Sequence, residues 1–277
     1  MGVRVEIQVL GPLGAQVEGE TVVPSAAKPR QILSLLALHP GRIVPVATLM
    51  EEIWGMRPPQ SAQTTLQTYI LQLRRRLATA MGPAAPAGAK DVLATRHGGY
   101  VLRIPPDRVD VHRYERLVTQ GLAAFEAGDD ETSARVYRQA LALWDGPALV
   151  DVRLGPVLEI EVLRLEESRL VAVERRIDAD LRLGRHCELI AELSELTARH
   201  PLHEGLQSQA MLALYRAGRR SGALDVYRRL RSRLIEEVGV EPSPQLQRLH
   251  QAMLTVAPQL DELTTPRPTS TFDLFAA

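Results

Sequence analysis

A chain of 277 residues with 45% hydrophobic and only 4% aromatic side chains can bury two cores, built mostly from Leu, Val, Ala and Ile. Its net charge of zero divides unevenly, with 11 Lys and Arg against 6 Asp and Glu in residues 1–104, and 22 against 27 in residues 105–277. A single cysteine, Cys187, excludes an internal disulfide, and no run of about 18 apolar residues or basic-then-apolar leader is present, so the expectation is a soluble, cytoplasmic protein without membrane contact.

The chain opens on an alternating strand, Val3–Leu10, ended by Gly11-Pro12. Ala15–Val23, with a turn at Gly19, extends it into a small antiparallel sheet. Lys28-Pro29 starts a helix whose Ile32, Leu33, Leu35, Leu36 and Leu38 leave little polar face, so it should be largely buried; His39-Pro40-Gly41 stops it. A shorter helix over Val46–Trp54 should turn Leu49, Met50, Ile53 and Trp54 inward, with Gly55 closing it.

Ser61 then stands where a helix N-cap belongs, just after Pro58-Pro59. Across Ser61–Ala80, Leu66, Ile70, Leu73 and Leu77 make one apolar stripe. The opposite face carries Thr64, Thr68, Leu71 and Arg75, flanked by Gln67 on one side and Thr65 and Gln72 on the other. No acid occurs between Glu52 and Asp91. Ordinary surface helices mix both charge signs, because oppositely charged pairs stabilise them. Amides, hydroxyls and guanidinium groups without a carboxylate suit a polyanion, so this reads as a DNA recognition helix. The plainer alternative is an amphipathic helix whose Arg74–Arg76 merely complement the helix dipole.

Beyond a Pro/Ala/Gly-rich loop, Gly82–Ala89, two β-patterned runs, Val92–Thr95 and Tyr100–Ile104, flank His97-Gly98-Gly99. In a helix-turn-helix protein this hairpin would be a wing, with Arg96 and His97 at its tip placed to reach phosphates or a minor groove.

The second half reads as helices. Gly128, Gly184 and Gly218 sit in short turns, and nine residues beyond each stands a large side chain, Tyr137, Leu193 or Tyr227. Gly184 and Gly218 are 34 apart, the tetratricopeptide period. Such helix pairs present surfaces to proteins, and a helical bundle with coincidental spacing is the alternative. Thr264–Ala277 should be a flexible tail, in which Phe272-Asp273-Leu274-Phe275 could dock on a partner. An enzyme is disfavoured. His200 and His203 are interrupted by Pro201, there is no HExxH, no phosphate loop and no Gly-x-Ser-x-Gly elbow, and no cofactor or metal is expected.

The stretches KPRQILSLLAL (28–38), VPVATLMEEIWG (44–55), PPQSAQTTLQTYILQLRRRL (58–77) and GGYVLRI (98–104), followed by ALALWDGPAL (140–149), MLALYRAG (211–218) and EEVGVEPSPQLQRLHQAML (236–254), resemble the SARP family, the antibiotic regulatory proteins of actinomycetes. The resemblance covers about residues 5–255. It implies a mainly α protein: a winged helix-turn-helix of the response-regulator effector type over 1–104, a bacterial transcriptional activation domain of tetratricopeptide-like helices over 105–256, and the tail 257–277. The wing pattern Thr-Arg-x-x-Gly-Tyr is met by Thr95, Arg96, Gly99 and Tyr100.

By the same resemblance, base and phosphate contacts fall on Thr64, Thr65, Thr68, Gln72, Arg74, Arg75 and Arg96, although the helical wheel puts Arg74 beside the apolar stripe. Response-regulator recognition helices often carry Arg where this chain has Gln72, which puts the target sequence in doubt. The implied function is activation of an antibiotic gene cluster from direct repeats in duplex DNA overlapping a promoter's −35 region, by two copies acting together. The loop Met56, Arg57, Pro58, Pro59 and Gln60 would face the sigma factor of RNA polymerase. A repressor, or an adaptor that binds DNA without activating, is the alternative.

Overall fold

The computed structural model describes residues 4–83 and 88–255. The tail, with Phe272–Phe275, and the middle of the Gly82–Ala89 loop lie outside them. Three short strands, Val5–Gln8 (β1), Gly14–Val17 (β2) and Glu20–Thr21 (β3), form an antiparallel sheet in the order β1-β2-β3. The register pairs Val5 with Val17 and Ile7 with Ala15, all buried, while Gln8 and Gln16 face out. The alternation of the sequence thus maps onto one covered face.

Helix α1 (Ala27–Leu38) is buried without interruption from Gln31 to Leu38, as its all-round apolar pattern demands. Helix α2 (Val46–Trp54) departs from expectation. Leu49 and Ile53 point inward, but Met50 and Trp54 are only half-buried, and the third buried residue is Glu52. The Lys28 ammonium lies 4.9 Å from the Trp54 ring centroid, which accounts for the partly open ring. Helix α3 (Ala62–Met81) follows, packed on α1 and α2.

A second sheet has the order β4-β6-β5, from Val44–Pro45 (β4), Leu93–Arg96 (β5) and Gly99–Leu102 (β6). Two expectations are corrected here. Val92 belongs to a one-turn helix, α4 (Ala89–Val92), which also takes Ala89 out of the loop; and Gly99 is a strand residue, so the turn is His97-Gly98 alone. Gly98 supplies the φ of +79° that the turn needs. Gly99 serves a different purpose: a Cβ there would lie 2.3 Å from the Val44 carbonyl oxygen on the neighbouring strand.

After a 3₁₀ turn at Pro106–Arg108 come α5 (Asp110–Ala127), α6 (Asp130–Leu141), α7 (Pro156–Arg182), α8 (His186–Arg199), α9 (Glu204–Arg216) and α10 (Arg220–Arg233). A π-helical turn, Leu234–Val238, then leads to α11 (Pro244–Thr255). Gly128, Gly184 and Gly218 occupy the turns between α5 and α6, α7 and α8, and α9 and α10, with φ of +75°, +78° and +74°. Tyr137, Leu193 and Tyr227 are buried, as tetratricopeptide-like spacing requires. His203 is the N-cap of α9 and accepts from the Leu206 N–H, a structural duty.

Packing divides the chain differently from a cut at residue 104. One compact unit comprises Met1–Leu117 with Ala140–Leu170, and the other Val118–Gln139 with the chain from Val171 onward. Three acids hold the first unit together. Asp110 accepts from the Val9 and Leu10 N–H groups, Asp151 accepts from the Leu13 N–H and pairs with Arg30, and Glu52 accepts from Gly155, Val157 and Leu158 at the start of α7. Each satisfies backbone donors that would otherwise be buried unpaired, worth about 1–3 kcal/mol apiece.

In the second unit, Phe125 packs with Ala134, Ala179 and Leu183, and its ring lies 4.0 Å from the Arg182 guanidinium. The buried Asp180 carboxylate pairs with Arg138, Arg176 and Arg185, so its charge is fully compensated.

Candidate nucleic-acid interface

The interface begins with what α3 hides. Ala62, Leu66, Ile70, Leu73 and Leu77 are its buried residues, four of them leucine or isoleucine at about 1.5–3 kcal/mol each. That stripe fixes the helix's rotation, and the rotation decides which residues face water. Thr64, Gln67, Thr68, Leu71, Gln72 and Arg75 are exposed, while Thr65 and Arg74 are half-buried. Ser61 occupies the N-cap position, but its side chain makes no capping hydrogen bond; the entry is closed instead by the Ala62 N–H donating to the Pro59 carbonyl at 2.9 Å.

The side chains of Gln67, Gln72, Arg75, Arg96 and His97 make no hydrogen bond or ion pair with any described residue. Their donors and acceptors are therefore available to a ligand. Thr68 differs, because its hydroxyl donates to the Thr64 carbonyl at 3.1 Å, one turn back. That leaves lone pairs on Oγ1, suited to accepting from a base amino group.

Arg74 differs more. Its Nε donates to the Leu93 carbonyl at 2.9 Å and its Nη2 to the Thr95 hydroxyl at 2.8 Å, both on β5. Arg76 reaches the Val23 carbonyl at 3.4 Å. Of the three consecutive arginines, Arg75 alone has an uncommitted guanidinium. Arg96, the last residue of β5, is exposed beside His97, so helix and hairpin each carry one guanidinium, Arg75 and Arg96, without a partner among the described residues.

The loop from Met56 to Gln60 is exposed throughout, and Met56 is 92% exposed. Arg57 has no side-chain partner among the described residues. The acids that hold the first unit together were not singled out from sequence. Glu52 carries no periodic signal, and its burial makes sense only once Gly155 is known to lie against it.

Among the described residues no group of His, Cys, Asp and Glu is placed to hold a metal, and no helix is long and apolar enough to cross a membrane. A winged helix whose third helix shows an acid-free outer face, followed by a helical domain, is the architecture of a DNA-binding transcription regulator.

Comparison with known proteins narrows the class. Residues 19–102 match the family model described as transcriptional regulatory protein, C terminal, and residues 109–254 match the bacterial transcriptional activator domain. The chain is 53% identical over 256 residues to regulatory protein DnrI of Streptomyces peucetius, covering 92% of this chain and 94% of that one. It is 37% identical to transcriptional regulator RedD of Streptomyces coelicolor, covering 92% of this chain and 72% of that protein. Against regulatory protein AfsR of Streptomyces coelicolor it is 39% identical, with 92% of this chain covered, but it spans only 25% of that longer protein. The solved structure of Mycobacterium tuberculosis EmbR in complex with a low-affinity phosphopeptide superposes with a TM-score of 0.84 at 33% identity, over 92% of this chain and 66% of that one. The chain belongs to the SARP family of regulatory proteins.

Proposed function

We propose that this protein is a transcriptional activator that binds direct repeats overlapping a promoter's −35 region and recruits RNA polymerase, switching on an antibiotic biosynthetic cluster. The observation that carries it is the exposed face of α3. Gln67, Gln72, Thr64, Thr68 and Arg75 stand free of acids, with Arg96 and His97 on the adjoining hairpin. Gln72 suits bidentate reading of adenine, whereas Arg75 and Arg96 suit phosphate or guanine. In this reading residues 1–104 supply the DNA-binding part and 105–256 the activating part, which the family-model matches over 19–102 and 109–254 support.

The loop Met56–Gln60 is the surface offered to the sigma factor. Its two prolines limit the entropy lost on docking, and the unpaired Arg57 offers a charge-assisted contact to an acidic partner. Direct repeats imply copies arranged head to tail, hence heterologous contacts, with a monomer free in solution and cooperative dimers on DNA. Polymerase and promoter place this work in the cytoplasm.

The test is footprinting followed by transcription with purified polymerase on the promoters beside this gene. Protection of tandem repeats with stimulated transcription is the expected result. Protection without stimulation would make it a repressor or an adaptor, and sedimentation showing a stable dimer without DNA would overturn the assembly.

A further inference from the structure

The family resemblance puts Arg74 among the DNA contacts, yet its guanidinium is engaged elsewhere. The order β4-β6-β5 makes β5 an edge strand. The Val92 carbonyl accepts from the Arg103 N–H at 2.7 Å, on the β6 side. Carbonyls alternate along a strand, so the next one, on Leu93, points away from β6 and has no ladder partner. Leu93 is 1% exposed, so water cannot serve that carbonyl freely. Arg74 Nε supplies the missing donor at 2.9 Å, and Nη2 takes the Thr95 hydroxyl at 2.8 Å. Two bonds from one planar fork fix both distance and orientation, which a lysine could not do.

We infer that Arg74 is a positioning residue: it locks the wing to the recognition helix, so that Arg96 meets the DNA backbone in register with the bases read by α3. This deepens the proposed function and rests on it. Thr95 immediately precedes Arg96, so the second bond of the fork ends one residue from the free guanidinium. The hairpin turn beyond it is only His97-Gly98, too short to correct a tilted strand.

Full-length Arg74→Met, Thr95→Val, Arg96→Ala and the Arg74→Met/Arg96→Ala pair are measured by gel shift across a salt series on the protected site and on random DNA. Expected is non-additivity: Arg96→Ala weakens binding about tenfold in the native background and scarcely at all once Arg74 is Met. Thr95→Val should show a weaker form of the same coupling. Hydrogen exchange at Arg96–Gly99 should quicken in Arg74→Met far more than at the α3 amides, with the melting temperature lowered only as far as the loss of the Leu93 carbonyl's donor requires. Multiplying losses, with a salt slope lowered by about one beyond that of Arg96→Ala, would make Arg74 a phosphate contact and overturn the inference. Relaxed preference at one base pair in Arg74→Met would make it a base contact, with the same consequence. Gln72→Ala serves as control: if it binds cognate and random DNA as the native protein does, the groove assignment of α3 has failed instead.

Discussion

The carboxylate of Glu52, on α2, accepts the Gly155 N–H at 2.7 Å and the Leu158 N–H at 2.8 Å, and so caps the 27-residue helix α7 from about a hundred residues upstream. Pro156 has no N–H to offer, and Gln31 Nε2 adds a fourth donor at 3.2 Å. The fit is close, since a Cβ on Gly155 would stand 1.9 Å from the Glu52 carbonyl oxygen. Burial pushes the Glu52 carboxyl up, and the donors pull it back towards ionisation.

Removing that cap should be felt in the stability of the unit containing it. Glu52→Ala leaves several buried N–H groups without acceptors, for a loss of about 2–4 kcal/mol. Gly155→Ala should cost a similar amount by forcing the backbones apart. Urea unfolding checks both, and an unchanged midpoint in Glu52→Ala would mean that water replaces the carboxylate. A peptide of residues 1–104 lacks Gly155, Asp110 and Asp151 and should give a poorly dispersed amide spectrum.

Specificity and general affinity should separate between helix and wing. Gln72→Ala should cost about 1–3 kcal/mol on the cognate site and relax preference at one base pair. Arg96→Ala should weaken binding to all sequences alike and lower the salt slope by about one. Equal losses on cognate and random DNA in both variants would sink the division of labour.

Helix α3 was legible because its apolar stripe repeats at 3.6 residues, and Leu66, Ile70, Leu73 and Leu77 are all buried as that period requires. Strand β4 was not, because two residues carry no period; Val44–Pro45 reads as the approach to α2 until Tyr100 and Gly99 are seen to pair with it. Glu52 follows Glu51 in a helix that looks half solvated, and only a partner distant in sequence explains its burial. Arg74 stood at the edge of the stripe on the helical wheel. What the wheel could not supply was the neighbouring strand with an unpaired carbonyl.

Activation should depend on the loop before α3 and DNA binding should not. Arg57→Glu reverses a charge that has no partner among the described residues, so the fold should stand. Transcription with purified polymerase should fall severalfold while the gel shift stays as it was. Undiminished transcription would move the activating surface to the acidic helical part.

The second unit should lose stability as pH rises through neutrality. Burial, then the nearby Asp178 carboxylate, pushes Glu174 up to about 7 from an ordinary 4.5, with Arg175 opposing. His203 Nδ1 lies 3.5 Å from it. A proton held more tightly by the folded state stabilises it fully below about 4.5, and that contribution is lost as pH climbs through about 7. The displacement is worth on the order of 3 kcal/mol. Glu174→Gln should flatten this part of the stability profile and leave the protein firmer at pH 8 (about 1–3 kcal/mol); a wild-type slope in the variant would assign the effect to another group.

The hydrogen bonds of Asp151 to Leu13 and of Glu52 to Gly155, which join residues 140–170 to the first part of the chain, also set a timetable for synthesis. A chain leaves the ribosome at about 5–20 residues per second, so several seconds separate the emergence of Glu52 from that of Gly155. Over that interval the Leu13 N–H and the Glu52 carboxylate are made but unmatched, and the nascent head cannot finish its core. On the proposed function, the face of α3 would be set in its final place only after much of the helical part has been translated. Truncated products that stop short of α7 would then not compete for its promoters.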